Sequence, residues 1–154
     1  YDLSATAING DTVSFSQFKG KKIMIVNTAS DCGYTAQYDE LEKLYELNKN
    51  KLIIIGFPAN DFKEQEKANN NSIAQFCKRN YGVNFLMMSK VHVLKDSSQN
   101  NIFKWLSNAN ENGWCNQQPS WNFCKYVIDE NGKLTHFFSN QISPLDKKVK
   151  KALQ

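Results

Sequence analysis

The fold turns on one stretch of the chain, residues 23–35, which reads IMIVNTASDCGYT. Its first part, residues 23–26, is an apolar run typical of a buried strand, and an amphipathic helical pattern follows over residues 37–47. Cys32 therefore lies on a strand-to-helix turn, where the positive end of the helix dipole stabilises a thiolate over a thiol. Because the thiolate is the nucleophilic form, the sequence predicts a reactive cysteine, with a buried structural cysteine as the alternative.

Composition and charge exclude several classes of protein. The 154 residues suffice for one domain with a sizeable core, expected to span residues 1–154, and 41% hydrophobic with 22% charged residues is ordinary for a soluble protein. The net charge of +4 is spread along the chain, which argues against a nucleic-acid partner, and no apolar run reaches membrane-spanning length. No signal peptide is recognisable and the chain does not begin with Met, so a cytoplasmic location is favoured while an exported or organellar form stays open.

Cysteine and histidine usage argues against a disulfide scaffold and against a zinc site. Four cysteines are few for a disulfide-stapled protein of this size, and none of them form a Cys-x-x-Cys pair. The two histidines, His92 and His136, lie far apart and far from any cysteine in sequence, so no metal is expected. The cysteines are Cys32, Cys77, Cys115 and Cys124.

The order of the predicted elements gives the fold class. Strands and helices alternate early, which requires parallel strands with crossover helices, and a late hairpin adds antiparallel strands. We therefore expect an α/β, thioredoxin-like fold, a mixed central sheet flanked by helices with an N-terminal β-hairpin at Asn9-Gly10. The predicted strands are residues 22–27, 52–57, 91–94, 123–128 and 134–138; the predicted helices are residues 36–48, 71 or 72 to 80, 101–107 and a last helix opened by Ser143-Pro144; residues 108–120 are predicted to be a loop.

Three further segments become informative beside the Cys32 turn. They are residues 56–66 (GFPANDFKEQE), residues 73–79 (IAQFCKR) and Trp121-Asn122-Phe123. Together, and in this order, the four segments resemble the glutathione peroxidase family, and the resemblance extends over essentially the whole chain. It implies a cysteine enzyme that reduces hydrogen peroxide and organic or lipid hydroperoxides, with no bound cofactor and an external thiol reductant.

The resemblance also assigns roles to residues. Cys32 matches the peroxidatic position, where attack on the O–O bond gives a sulfenic acid. Gln65, Trp121 and Asn122 match the family's hydrogen-bond donors, which stabilise the thiolate and the charge on the leaving oxygen. Each of these polar residues could alone be an ordinary loop residue, and Trp121 an ordinary core residue.

Cys77 matches the resolving cysteine of the thioredoxin-using branch of the family. The resemblance implies a Cys32–Cys77 disulfide that thioredoxin opens by thiol–disulfide exchange. Because the two cysteines lie on separate elements, we expect the helix around Cys77 to unwind or shift during turnover. The short segment 108–120 suggests a monomer with an open active-site face, and Arg79 is the sole arginine available to hold the carboxylates of glutathione.

The chain departs from the family pattern at a few positions, and other functions stay open. Ala59 and Asp61 stand where the family usually has Cys and Gln, and Cys124 stands where it usually has Glu. A carboxylate at Asp61, if close to Cys32, would oppose ionisation of the thiol. The alternatives are a redox sensor or relay that passes oxidation to a partner protein, a glutathione-dependent peroxidase with a structural Cys77, and a binding protein without catalysis. Contact with a membrane is not expected, because the lysines of the last helix are read as a solvated face.

Overall fold

The computed structural model describes residues 3–30, 32–62, 66 and 69–154. Its centre is a five-stranded mixed sheet in the order β5-β4-β3-β6-β7, preceded by a two-stranded hairpin of β1 and β2. The strands are β1 (Ser4–Thr6), β2 (Thr12–Ser14), β3 (Lys22–Thr28), β4 (Leu52–Pro58), β5 (Leu86–Met87), β6 (Lys125–Ile128) and β7 (Leu134–Phe138). The helices are α1 (Gln37–Asn48), α2 (Asn70–Tyr81), α3 (Asn101–Leu106), α4 (Ala109–Asn112) and α5 (Lys147–Ala152). The predicted thioredoxin-like architecture is confirmed.

The two central strands end together, which fixes where a site can form. β3 and β4 run parallel in register from the pair Lys22 and Leu52 to the pair Thr28 and Pro58. On its other side β3 pairs antiparallel with β6. The loop that carries Cys32 and the loop that follows Pro58 therefore leave the same carboxyl edge of the sheet, and the loop before β6 returns to it.

Side chains of the central strands alternate between two apolar clusters, one on each face of the sheet. In β3, Ile23 and Ile25 point to the face covered by the N-terminal hairpin and α3, while Met24 and Val26 point to the face covered by α1, α2 and α5. The second face holds Tyr38, Leu41 and Leu44 of α1, Ile73 and Cys77 of α2, and Val149 of α5. Strands covered on both faces explain the near-continuous apolar runs in the sequence.

Several predicted boundaries need correction. The expected strand at residues 91–94 is reduced to isolated bridges, and the edge of the sheet is formed by β5 instead. The last helix begins at Lys147, because the Asp146 side chain caps it by accepting a hydrogen bond from the Lys148 N–H at 2.8 Å. Ser143 caps only a turn, accepting from the Leu145 N–H.

Two shorter corrections concern α2 and the segment before the Trp-Asn-Phe motif. α2 is capped by Asn69, two or three residues earlier than the predicted cap at Asn71 or Ser72, and the Asn69 side chain accepts from the Ser72 N–H at 2.9 Å. The predicted loop 108–120 contains the short helix α4. Among the helices in the described ranges, none is both long and apolar enough to cross a membrane.

Candidate active site

The turn that carries Cys32 is held by its own backbone and by one threonine. The Cys32 N–H donates to the Thr35 hydroxyl at 2.8 Å, and that hydroxyl donates to the Ala29 carbonyl at 3.0 Å. The Tyr34 N–H points at the Cys32 sulfur, with a nitrogen-to-sulfur distance of 3.4 Å. Cys32 itself is partly buried at the border of the apolar cluster on the α1 face. The sulfur therefore accepts a backbone hydrogen bond from within its own turn.

The Trp121-Asn122-Phe123 segment is attached to the end of β3 by Asn27. The Asn27 side chain donates to the Trp121 carbonyl at 2.8 Å and accepts from the Cys124 N–H at 3.0 Å. The Asn27 carbonyl accepts from the Phe123 N–H at 2.6 Å. Asn27 is wholly buried, so these contacts hold the segment at the same sheet edge as the Cys32 turn. Sequence reasoning gave Asn27 no role, although a buried polar residue at a strand end is the available signal.

The backbone of this segment adopts an unfavourable conformation at Phe123. Its φ is +67°, and it is the one non-glycine residue of the described ranges in the left-handed region. Such a conformation persists only when its surroundings hold it. The Phe123 ring is fully buried and meets the Tyr38 ring edge to face, with centroids 5.3 Å apart. The strain explains why β6 begins at Lys125 rather than at residue 123 as predicted.

A buried lysine also holds the Trp121-Asn122-Phe123 segment in place. The Lys125 ammonium donates to the carbonyls of Phe123 at 2.8 Å, Ile142 at 2.6 Å and Ser139 at 3.4 Å. Burial lowers the pKa of Lys125 from 10.5 to about 8, against a smaller upward effect from Cys124 and Glu40. Lys125 was also missed by sequence reasoning, although a lysine within an apolar strand is an informative exception.

The loop that follows β4 meets the Trp121 segment. The rings of Phe62 and Trp121 pack with centroids 5.5 Å apart. Gln65, the predicted amide donor, lies outside the described residues. Its neighbour Glu66 is buried, and the Ser30 hydroxyl donates to the Glu66 carboxylate at 2.9 Å. This hydrogen bond ties the loop that carries Gln65 to the Cys32 turn.

Cys77, the predicted resolving cysteine, lies on α2. All four cysteines are free thiols, and Cys77 is 2% exposed within the apolar cluster that Cys32 borders. Burial raises the pKa of the Cys77 thiol to about 11; the Tyr38 hydroxyl lowers it, and the Glu66 charge adds a smaller rise. A thiol with this pKa is almost entirely protonated at neutral pH while it stays in its pocket.

The remaining candidate residues are engaged elsewhere. One Asp61 carboxylate oxygen accepts the N–H groups of Val93 and Leu94 at 3.1 and 3.2 Å, and the other lies 3.6 Å from His92 Nδ1. Cys115 and Cys124 are both buried. In the described part of the chain, no group of three or more His, Cys, Asp or Glu side chains is arranged to hold a metal ion.

The chain is similar to known proteins along nearly its whole length. The family model for glutathione peroxidase matches residues 1–107. The glutathione peroxidase of Lactococcus lactis subsp. cremoris (strain MG1363) is 40% identical over 156 aligned residues, which cover 99% of this chain and 98% of that protein. The glutathione peroxidase-like peroxiredoxin 2 of Saccharomyces cerevisiae (strain ATCC 204508 / S288c) is 38% identical, covering 99% of this chain and 96% of that protein.

A solved structure agrees with these relatives. The apo form of a protein described as Trgpx superposes with a TM-score of 0.75 at 29% identity, covering 99% of this chain and 94% of that one. The resemblance inferred from the four sequence segments is thus confirmed by both sequence and fold. The chain belongs to the glutathione peroxidase family.

Proposed function

We propose that this chain is a thiol peroxidase that reduces hydrogen peroxide and organic hydroperoxides through Cys32. The observation that carries the proposal is the convergence of the Cys32 turn and the Trp121 segment at one sheet edge in a member of this family. The Cys32 thiolate attacks one peroxide oxygen, the O–O bond breaks, and water or an alcohol leaves after protonation. The product at the enzyme is a Cys32 sulfenic acid.

Three side chains assist this step. Gln65, Trp121 and Asn122 each carry N–H groups that can donate to the thiolate and to the leaving oxygen. Asn27 and the Phe62 ring hold Trp121 in position, so its indole N–H is carried by a loop with fixed contacts. The Trp121 ring forms one wall of the peroxide site.

The second half of the cycle uses Cys77. The Cys77 sulfur attacks the sulfenic sulfur of Cys32, a disulfide forms, and water leaves. Because Cys77 is buried on the inner face of α2, we expect this helix to open before the two sulfurs meet. A thioredoxin-like protein then reduces the disulfide by thiol–disulfide exchange, and the cycle involves no metal or prosthetic group. We expect residues 1–154 to act as a single domain and as a monomer, since the segment 108–120 is short.

The sequence left two other functions open, and the comparisons bear on them differently. Glutathione as the reductant, with Cys77 structural, stays open, and several relatives are named glutathione peroxidases. The comparisons do not favour a redox sensor or relay as the main function, because the relatives are named as peroxidases and peroxiredoxins.

Coupled turnover tests the proposal. NADPH oxidation is followed with peroxide, thioredoxin and thioredoxin reductase for the wild type, Cys32→Ser, Cys77→Ser and, as a control cysteine, Cys115→Ser. We expect the first two variants to lose turnover and the control to keep it. Activity retained by Cys77→Ser with glutathione in place of thioredoxin would instead support the glutathione-dependent alternative. An inactive wild type with both reductants would refute the proposal.

A further inference from the structure

The C-terminal end of α2 is joined to α1 by a buried carboxylate. Glu42 on α1 is buried, and its two oxygens accept the Asn84 N–H at 2.7 Å and the Asn84 side-chain amide at 3.3 Å. The Asn84 side-chain oxygen accepts in turn from the ammonium of Lys78, in the last turn of α2, at 2.7 Å. We call Glu42, Asn84 and Lys78 the Glu42 clamp, and the proposed catalytic cycle gives these three residues no part.

The Glu42 clamp lies next to the hydrogen bonds that end α2 around Cys77. The Val83 N–H donates to the Cys77 carbonyl at 3.3 Å, and the Gly82 N–H donates to the Lys78 carbonyl at 3.1 Å. Gly82 allows this cap to form, because its φ of +59° lies in the left-handed region. Asn84 follows Val83 directly in the chain, so a contact that fixes Asn84 also fixes the backbone donor to Cys77.

Packing beside this end of α2 is incomplete. A groove of about 270 Å³ lies between α2, residues 83–87 and residues 7–9, and both Cys77 and Lys78 line it. A helix face that borders a groove has fewer contacts to hold it than a face packed on both sides. The polar contacts of the Glu42 clamp and the cap therefore contribute much of what keeps Cys77 in place.

We propose that Glu42 is a positioning residue for the resolving step, because its hydrogen bonds to Asn84 must break before α2 can release Cys77. The inference rests on the proposed resolving role of Cys77. While the Glu42 clamp is closed, Cys77 stays buried in the apolar cluster on this face of the sheet. When the clamp opens, the cap bond to the Cys77 carbonyl is lost and the thiol can reach the Cys32 sulfenic acid. The S–S bond then forms as the S–O bond breaks, and the departing hydroxide combines with the proton of Cys77 to give water.

Native-state hydrogen exchange measures how often the Glu42 clamp opens. Glu42→Gln keeps one oxygen for the Asn84 N–H but turns an N–H of its own toward the Asn84 side-chain amide, at nearly unchanged volume. We expect the amides of α2, Gly82 and Val83 to exchange about tenfold faster in this variant, the effect of weakening one hydrogen bond to a charged group. Asp39→Asn removes a charge from the exposed face of α1 and is the matched control, which should exchange as wild type.

A single turnover measures the effect on the resolving step. The enzyme is mixed with one equivalent of peroxide and quenched at successive times with a thiol-alkylating reagent, and both peroxide loss and the Cys32–Cys77 disulfide are followed. Glu42→Gln should consume peroxide at the wild-type rate and form the disulfide about tenfold faster, because the rate follows the population of the open helix. Asn84→Ala keeps the backbone donor and should show the same change to a smaller extent.

Three results would overturn the inference. If the amides of β3, which report global unfolding, exchange faster in Glu42→Gln while those of α2 do not, then Glu42 only stabilises the fold and α2 opens with the Glu42 clamp closed. Unchanged or slower disulfide formation in Glu42→Gln would show that the clamp does not control the release of Cys77. An equal acceleration in Asp39→Asn would reduce the effect to the loss of one charge on α1.

Failure of the proposed function gives a different result. Cys77→Ser would then keep its full turnover with thioredoxin, and the inference about the resolving step would fall with the resolving role. The α2 amides would still respond to Glu42→Gln in that case, so the two failures are distinguishable.

Discussion

Replacing Lys125 by Met should remove a specific pH dependence from the stability of the protein. The side chain is wholly buried, and its ammonium donates to the backbone carbonyls of Phe123, Ser139 and Ile142. Burial lowers its pKa from 10.5 to about 8 in the folded protein. Met has a similar length and no charge, so the variant keeps the volume and loses the titration.

The direction of this pH dependence follows from which state, folded or unfolded, binds the Lys125 proton. Between pH 8 and pH 10.5 the unfolded chain keeps the Lys125 proton while the folded protein loses it. The unfolded state therefore binds more protons in this window, and the contribution of this group to stability rises with pH. The fall in the Lys125 pKa from 10.5 to about 8 corresponds to about 3 kcal/mol of unfolding free energy. The protein gains this stability as the pH rises from 8 to 10.5.

Denaturant unfolding of wild type and Lys125→Met at pH 7 to 10 measures this effect. The difference in unfolding free energy between the two proteins should be constant below pH 7.5 and should then grow by about 2 kcal/mol toward pH 10 in favour of the wild type. Taking the difference removes the opposite contribution of Cys77, whose raised pKa weakens stability above pH 9 in both proteins. Lys150→Met on the exposed face of α5 is the control and should show no such trend. A flat difference for Lys125→Met would refute the reasoning, because it would mean that the three carbonyls keep the ammonium charged despite burial.

Three further substitutions test other parts of the structure. Asn27→Asp replaces the amide that donates to the Trp121 carbonyl with a carboxylate, which repels that carbonyl. We expect the free energy of unfolding to fall by about 2 kcal/mol and peroxide turnover in the coupled assay to fall at least about tenfold. Unchanged turnover would contradict the role of this side chain. Gly56→Ala places a methyl group 2.6 Å from the Met87 sulfur, which should destabilise the protein by about 1–3 kcal/mol in urea unfolding, and a second change, Met87→Ala, should recover part of the loss. Asp61→Asn keeps an oxygen that can accept from the N–H groups of Val93 and Leu94, so we expect steady-state turnover within about twofold of wild type. A large gain in turnover would show that the Asp61 charge acts on Cys32.

Much of the fold was predictable because its signals are local. The strand of residues 22–27 and the helix of residues 36–48 follow from hydrophobic period over short windows, and the structure places both within a residue of the prediction. The edge of the sheet was not predictable in this way. Residues 91–94 have as much β propensity as Leu86–Met87, but β5 is the segment that packs beside Gly56, where the missing side chain leaves room for Met87.

The sequence by itself determined the family, the position of Cys32 on a strand-to-helix turn and the order of the main strands and helices, because these depend on neighbouring residues and on motifs. Only the tertiary structure decided how the site is supported. Asn27 holds a segment 94 residues away in the chain, and Lys125 joins that segment to the turn before α5. The packing of the Tyr38 ring on α1 against Phe76 and Tyr81 of α2 likewise exists only because the two helices lie on the same face of the sheet. Such contacts join residues distant in sequence, and no local pattern of residues specifies which buried polar groups will meet.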